Sequence, residues 1–177
     1  MKWTESALLP GVARQSVAAA LGHSPAPPPK PAQGFLAEPH PVFVTIHTHT
    51  GQMRGCVGTL TPKFSSVIEE TWRVARSAAF EDGRFEPVRA HEMPGLDFEV
   101  SVLHELEPVQ SEMELDPATY GVLVTTPDGR HGVLLPALES VTSIAQQLDL
   151  ARRKAGIEPG EPVALSRFRV TKVGEKN

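Results

Sequence analysis

The chain has one cysteine, Cys56, among its 177 residues. No intramolecular disulfide can form, and no cysteine-rich zinc site can be built within one chain. A lone thiol fits a reducing compartment. Long apolar runs are also missing. Nothing approaches the ~20 consecutive apolar residues that span a bilayer, and the opening stretch Met1 to Pro10 has no apolar core of a secretory signal. These absences lead to the expectation of a cytoplasmic protein without a membrane segment. An excess of basic charge is lacking too: the net charge is −4. A broad phosphate-binding face needs the opposite sign, so nucleic acid is not an expected partner. There is no glycine-rich phosphate loop, no Gly-x-Ser-x-Gly elbow, no His-Glu-x-x-His and no dinucleotide fingerprint. No textual motif names a reaction, a cofactor or a resident metal.

The composition that is present is globular, with 40% apolar and 21% charged residues. The length suits a single domain over residues 1–177, burying roughly 70% of the surface its unfolded chain would expose. Many of the 17 prolines fall in residues 23–34, a polyproline-type connector that removes backbone donors and stiffens the chain.

Apolar spacing predicts a helix over residues 4–21 stopped by Gly22, with Pro10 either kinking it or opening its stable part. Alternating β-branched residues predict strands at 42–49 and 53–60, joined by Thr50-Gly51-Gln52 as a hairpin. Ser65 or Ser66 caps a helix running to about Phe80. A strand follows over 97–106. A second hairpin, 119–126 and 131–136, closes through Pro127-Asp128-Gly129-Arg130. Ser140 or Ser143 opens a helix to Ala155 that ends at Gly156, and 163–173 is a closing strand. Helices separated by hairpins fit an α+β fold with an antiparallel sheet better than a doubly wound parallel one. The order hairpin–helix–strand occurs twice, at 42–106 and 119–173, which suggests an internal structural duplication.

The segment Arg54-Gly55-Cys56-Val57-Gly58-Thr59 is the most unusual. Two glycines inside a strand cost stability. They imply close approach of a backbone or ligand, or a bulge that re-aims side chains. Alternation places Arg54, Cys56 and Gly58 on one face. A guanidinium beside a thiol favours the thiolate, which makes Cys56 a candidate nucleophile or redox thiol; a small buried hydrophobe is the other reading. His47 and His49 share a face of the partner strand; if that face carries Cys56 they could form a Cys–His pair or a transient metal site, and otherwise they are ordinary surface histidines. His131, opening a later strand, could join them. Asp82, Arg84 and Glu86 lie in a loop pinned by Phe80 and Pro87, either as an internal ion pair or as binding residues. Glu99 and Ser101 make one face of the 97–106 strand polar.

Met53-Arg54-Gly55-Cys56-Val57-Gly58-Thr59-Leu60 resembles the signature of the AMMECR family. Pro41–Ile46, Ala78–Val88, Phe98–Leu103, Gly132–Pro136 and Arg153–Gly156 resemble that family's other blocks, in its order and over nearly the whole chain. The resemblance implies an α+β architecture with helices against an antiparallel sheet and a smaller lobe formed partly by the N-terminal region. It strengthens Cys56 and Arg54 as candidate catalytic residues. It also supports Gly55, Gly58, Asp82, Arg84 and Glu99 as candidate binding residues, and strand alternation adds His47 to them. Many microbial members resemble AmmeMemoRadiSam system protein A, which implies a Memo-like or radical-SAM protein as partner. The chain departs from the family in its long proline-rich stretch, in lacking a tryptophan after Pro136, and in a short polar segment at 158–162. The resemblance brings no settled activity. Two readings follow: a thiol-dependent enzyme or enzyme component centred on Cys56, and a non-catalytic accessory module for such a partner.

Overall fold

Ser66 has extended backbone, and its hydroxyl accepts the Glu69 amide at 3.2 Å, the contact that starts a helix when its first amides have no partner. Helix α2 then runs Val67–Phe80. The same device opens α3, Ile144–Lys154, where the Ser143 hydroxyl accepts from Gln146. Gly156 ends it with φ +63°, as a left-handed C-terminal glycine should. Helix α1 spans Leu9–Ala20 with Pro10 in its first turn, so the proline opens the helix rather than kinking it. Gly22 follows at φ +84°. The computed structural model describes residues 6–22, 27–30 and 33–175. The start of the expected 4–21 helix and parts of the 23–34 connector lie outside them. Residues 27–30 have no regular structure and, with Ser65, Ser66 and Glu69, line a cavity of about 340 Å³.

Eight strands form two four-stranded sheets. The first takes β1 (Val42–Thr48), β2 (Met53–Gly58), β3 (Leu96–Leu103) and β8 (Val170–Gly174) in the order β2-β1-β3-β8. The second takes β4 (Glu107–Val109), β5 (Gly121–Thr125), β6 (His131–Leu134) and β7 (Ala164–Phe168) in the order β4-β7-β5-β6. The pairs β1–β2, β1–β3, β5–β6, β5–β7 and β4–β7 are all antiparallel. The α+β class therefore holds, with two sheets where one was expected. The expected closing strand 163–173 divides: β7 belongs to the second sheet and β8 to the first, and the break falls at Arg169, whose carbonyl accepts the His104 amide.

The chain falls into two units. One is Met1–Leu103 with Thr171–Asn177, the other His104–Val170. This corrects the expected N-terminal lobe: α1 belongs to the larger unit. Its Leu9, Val12 and Val17 share a core with Val44 and Ile46 of β1, Trp72 and Ala75 of α2, and Phe98 of β3. Arg14 of α1 adds polar ties, donating to Glu175 and to the carbonyls of Met93 and Leu96. An apolar helix face that finds a sheet to cover does not separate from it. The second unit has its own core of Val122, Val124, Leu134, Leu148, Ala151 and Ile157.

The duplication is visible in the topology. In the first unit a hairpin (β1, β2) is followed by α2 and then by β3, which pairs with the first hairpin strand. In the second, β5 and β6 are followed by α3 and by β7, which pairs with β5. A fourth strand lies outside β3 in one sheet and outside β7 in the other.

Candidate functional site

The glycines of β2 have physical explanations. A Cβ on Gly55 would run into the backbone carbonyl of Ala78, so α2 crosses the strand at a distance only glycine permits. A Cβ on Gly58 would enter the ring of Phe43, its cross-strand partner. Close approach of protein groups thus accounts for both. The register shifts between Ile46 and His47: Ile46 faces Gly55 and His47 faces Met53, leaving Arg54 as the extra residue of a bulge.

Arg54 is engaged by other groups. Its Nη2 donates to both carboxylate oxygens of Glu92, at 3.0 and 2.8 Å, and its Nη1 to the Glu86 carbonyl at 2.8 Å. The guanidinium beside Cys56 is that of Arg84. Its Nη2 reaches the Cys56 carbonyl at 3.3 Å, and the two side chains interact electrostatically. Asp82 completes the clamp by accepting the Cys56 amide at 2.9 Å and the Arg84 guanidinium at 2.8 and 3.0 Å. Because β2 is an edge strand, these two side chains satisfy backbone groups that a further strand would otherwise take. The loop thus has the internal ion pair and also grips the strand.

Hydrogen bonds from Arg84 hold the Asp82 carboxyl well below the usual carboxylate range; burial opposes this, and the Cys56 amide adds to it. A depressed folded value contributes stability that is fully present above the ordinary value of ~3.9 and is lost as pH falls below it. Asp82→Asn is accordingly expected to destabilise the protein by about 1–2 kcal/mol at neutral pH, with the gap to wild type closing below about pH 4. Thermal melts across that range check it; a gap independent of pH would contradict the clamp.

The face of the first sheet that carries Cys56 is polar along one transverse row. Cys56 pairs across to Thr45, and Thr45 pairs across to Glu99; residues directly opposite share a face. The Thr45 hydroxyl lies 3.2 Å from the Cys56 sulfur, and Glu99 is held by the Lys172 ammonium at 3.3 Å. Thr45 is 6% exposed, whereas Cys56 is half-buried. The next row holds His47 opposite Asp97. His47, His49, Asp97 and Glu99 line a shallow cavity of about 190 Å³, in which His49 lies 3.4 Å from Asp97. The sheet therefore gathers Cys56, His47 and Glu99, and Asp82 and Arg84 meet Cys56 at its main chain. Arg54, Gly55 and Gly58 serve neighbouring protein groups. His131 opens β6 in the second unit, its Nδ1 3.3 Å from the Gly129 carbonyl. Among the described residues, no three His, Cys, Asp or Glu side chains are grouped to hold a metal ion.

The second unit repeats the scaffold. A Cβ on Gly132 of β6 would collide with the Ala151 carbonyl of α3, just as one on Gly55 would with Ala78. Gly55 pairs with Ile46, and Gly132 with Val124. One residue further on, the first sheet has Cys56–Thr45–Glu99 and the second has Val133–Leu123–Ser166. The architecture requires the glycine in both units; it does not require a thiol, a buried threonine and a carboxylate.

Sequence reasoning missed Thr45, Lys172 and Glu70. Thr45 reads as an ordinary β-branched strand residue, and only register reveals its partner. Glu70 is different: it stands on the stripe of Val67 and Val74, a carboxylate at a core position, and it is fully buried. Its oxygens accept from the Thr59 hydroxyl and from the amides of Lys63 and Phe64.

An α+β chain of two hairpin–helix–strand units, each with a strand glycine under a helix carbonyl, defines the class of protein. The AMMECR1 family profile matches residues 10–173, and the chain belongs to the AMMECR1 family. A protein of Thermotoga maritima is 41% identical over 129 residues, covering 72% of this chain and 74% of its own. One from Clostridium acetobutylicum is 42% identical over 132 residues, but the chain spans only 27% of that relative's length. The crystal structure of an uncharacterized protein from Pyrococcus horikoshii superposes with a TM-score of 0.89 at 28% identity, over 99% of this chain and 94% of the other. No helix among the described residues is long and apolar enough to cross a membrane.

Proposed function

We propose that the first unit carries a thiol-centred site on the polar face of its sheet, with Cys56 as the reactive atom. Thr45, Glu99 and Lys172 lie along its row, His47 stands in the next, and Arg84 with Asp82 fixes its main chain. The difference between the duplicated units carries this reading. Both keep the strand glycine, and only the first has Cys56–Thr45–Glu99 where the second has Val133–Leu123–Ser166. A polar, titratable row that the scaffold does not need is retained for chemistry or recognition. A single cysteine leaves no resolving thiol in the chain, so a nucleophilic role fits better than an internal disulfide cycle. The cytoplasm keeps such a thiol reduced.

The test is alkylation of the folded protein by iodoacetamide, followed by mass spectrometry. Cys56 labels in the native state, and Arg84→Gln slows the reaction about three- to tenfold by removing a cation that favours the thiolate. Labelling only after unfolding overturns the proposal. The alternative is an accessory role toward a Memo-like or radical-SAM protein, which the family resemblance suggests. It would be supported by an inert thiol together with co-purification of such a partner, at native expression, undiminished in Cys56→Ser.

A further inference from the structure

We infer that Thr45 is the positioning residue of Cys56: its buried hydroxyl holds the sulfur on the polar face and stabilises the thiolate form by donating to it. This rests on the thiol-centred reading above. The Thr45 hydroxyl is 3.2 Å from the sulfur, and either atom can donate. Threonine is buried here at 6% exposure, and a buried hydroxyl needs its hydrogen bond.

The chemistry of the two protonation states is unequal. In the thiol form, either S–H donates to oxygen or O–H donates to sulfur, and both are weak bonds. In the thiolate form only the hydroxyl can donate, and the bond is charge-assisted and roughly twice as strong. One fixed contact therefore favours the thiolate without moving an atom. A β-branched side chain strengthens the device, because Thr has few χ1 choices in a strand.

The hydroxyl acts beside the Arg84 cation, and the carboxylates around the row do not oppose it. Two carboxylates stand near, and each has its own cation. Glu99, opposite Thr45 on β3, is paired with Lys172 of β8. Asp82, below the Cys56 amide, is paired with Arg84. Arg54 of β2 is occupied by Glu92. His47 lies one row along β1, opposite Asp97. Neither carboxylate acts as an uncompensated negative charge against the sulfur. The duplicated unit has Leu123 at the position of Thr45 and Val133 at that of Cys56, so hydroxyl and thiol occur together in one unit and are both absent from the other.

The experiment measures native-state iodoacetamide alkylation against pH for wild type, Thr45→Val and Thr45→Ser, with thermal melts to establish folding. Thr45→Val keeps the shape and removes the hydroxyl. It should slow labelling about tenfold at neutral pH and move the rise of the profile to higher pH, while the plateau at high pH stays at the wild-type rate. Thr45→Ser should return the profile to within about twofold of wild type. A Thr45→Val profile that overlays wild type overturns the inference, and so does failure of the folded serine variant to rescue. If Thr45→Val does not fold, Thr45→Ala takes its place under the same criteria. A wild-type Cys56 that is inert in the folded state defeats the underlying reading instead, so the two failures are distinguishable.

Discussion

Gly55→Ala is expected to destabilise the protein by about 3 kcal/mol or more, the upper range for overpacking a well-packed interior. For a chain of this size that lowers the melting temperature by roughly 6–12 °C. The added methyl would sit inside the Ala78 carbonyl, and the neighbouring atoms are helix backbone that cannot rotate aside. Either α2 lifts from the sheet, exposing part of the core around Ala75 and Ala79, or β2 moves away and breaks its pairing with β1. Gly132→Ala should behave alike in the second unit, where the obstacle is the Ala151 carbonyl. Gly11 supplies the contrast. It lies within α1 with open space around it, so Gly11→Ala should stabilise by about 0.5–1 kcal/mol through the unfolded chain alone. Melts of the three variants decide the matter. A Gly55→Ala protein that melts with wild type would mean that the glycine is there for a ligand and not for the helix.

That distinction bears on what the chain disclosed before folding. The rarity of Arg54-Gly55-Cys56-Val57-Gly58 was legible, and so was the need for a close approach at its glycines. What approaches was not legible, since Ala78 lies 23 residues further along and no local pattern names it. The boundaries of α2 and α3 were readable because Ser66, Ser143 and Gly156 act within one turn of themselves. The hairpins were readable because Gly51 and Gly129 adopt positive φ at the turns where glycine was expected. The splitting of 163–173 between two sheets was not readable, because β propensity says that a segment is extended and not which sheet receives it.

The site divides in the same way. Alternation put Arg54 beside Cys56; in the fold its guanidinium is taken by Glu92, and the loop brings Arg84 to the Cys56 main chain. The strand glycines admitted a bulge as one of two readings, and the register does shift beside Arg54; which residue is inserted was not legible. Partners across strands, Thr45 for Cys56 and Lys172 for Glu99, depend on register and were beyond reach. Asp82 and Arg84 were picked out for the right loop, though their reach to the Cys56 main chain is a tertiary fact. Glu70 was the one missed residue that the pattern could have exposed: a carboxylate on a buried helical stripe demands donors.

Those donors make Glu70→Ala the second large effect. The carboxylate is fully buried. It takes the Thr59 hydroxyl at 2.7 Å on one oxygen and the Lys63 and Phe64 amides at 2.8 and 3.0 Å on the other. It thereby fixes the connection from the end of β2 to the start of α2. Truncation leaves three donors without their acceptor and a space where the side chain stood, an expected cost on the order of 3–5 kcal/mol, or roughly 6–20 °C in melting temperature. Glu70→Gln separates charge from shape. Its single carbonyl oxygen can serve the two amides while its NH2 donates to the Thr59 hydroxyl oxygen, so it should lose only about 1–2 kcal/mol. Hydrogen exchange at Lys63 and Phe64 reports the contact directly: both amides should lose protection in the alanine variant and keep most of it in the glutamine variant. Because Glu70 acts on the connection and not on the sulfur, alkylation of Cys56 in folded Glu70→Gln should match wild type. An alanine variant that melts within about 2 °C of wild type, or amides equally protected in both, would show that the carboxylate does not hold this connection.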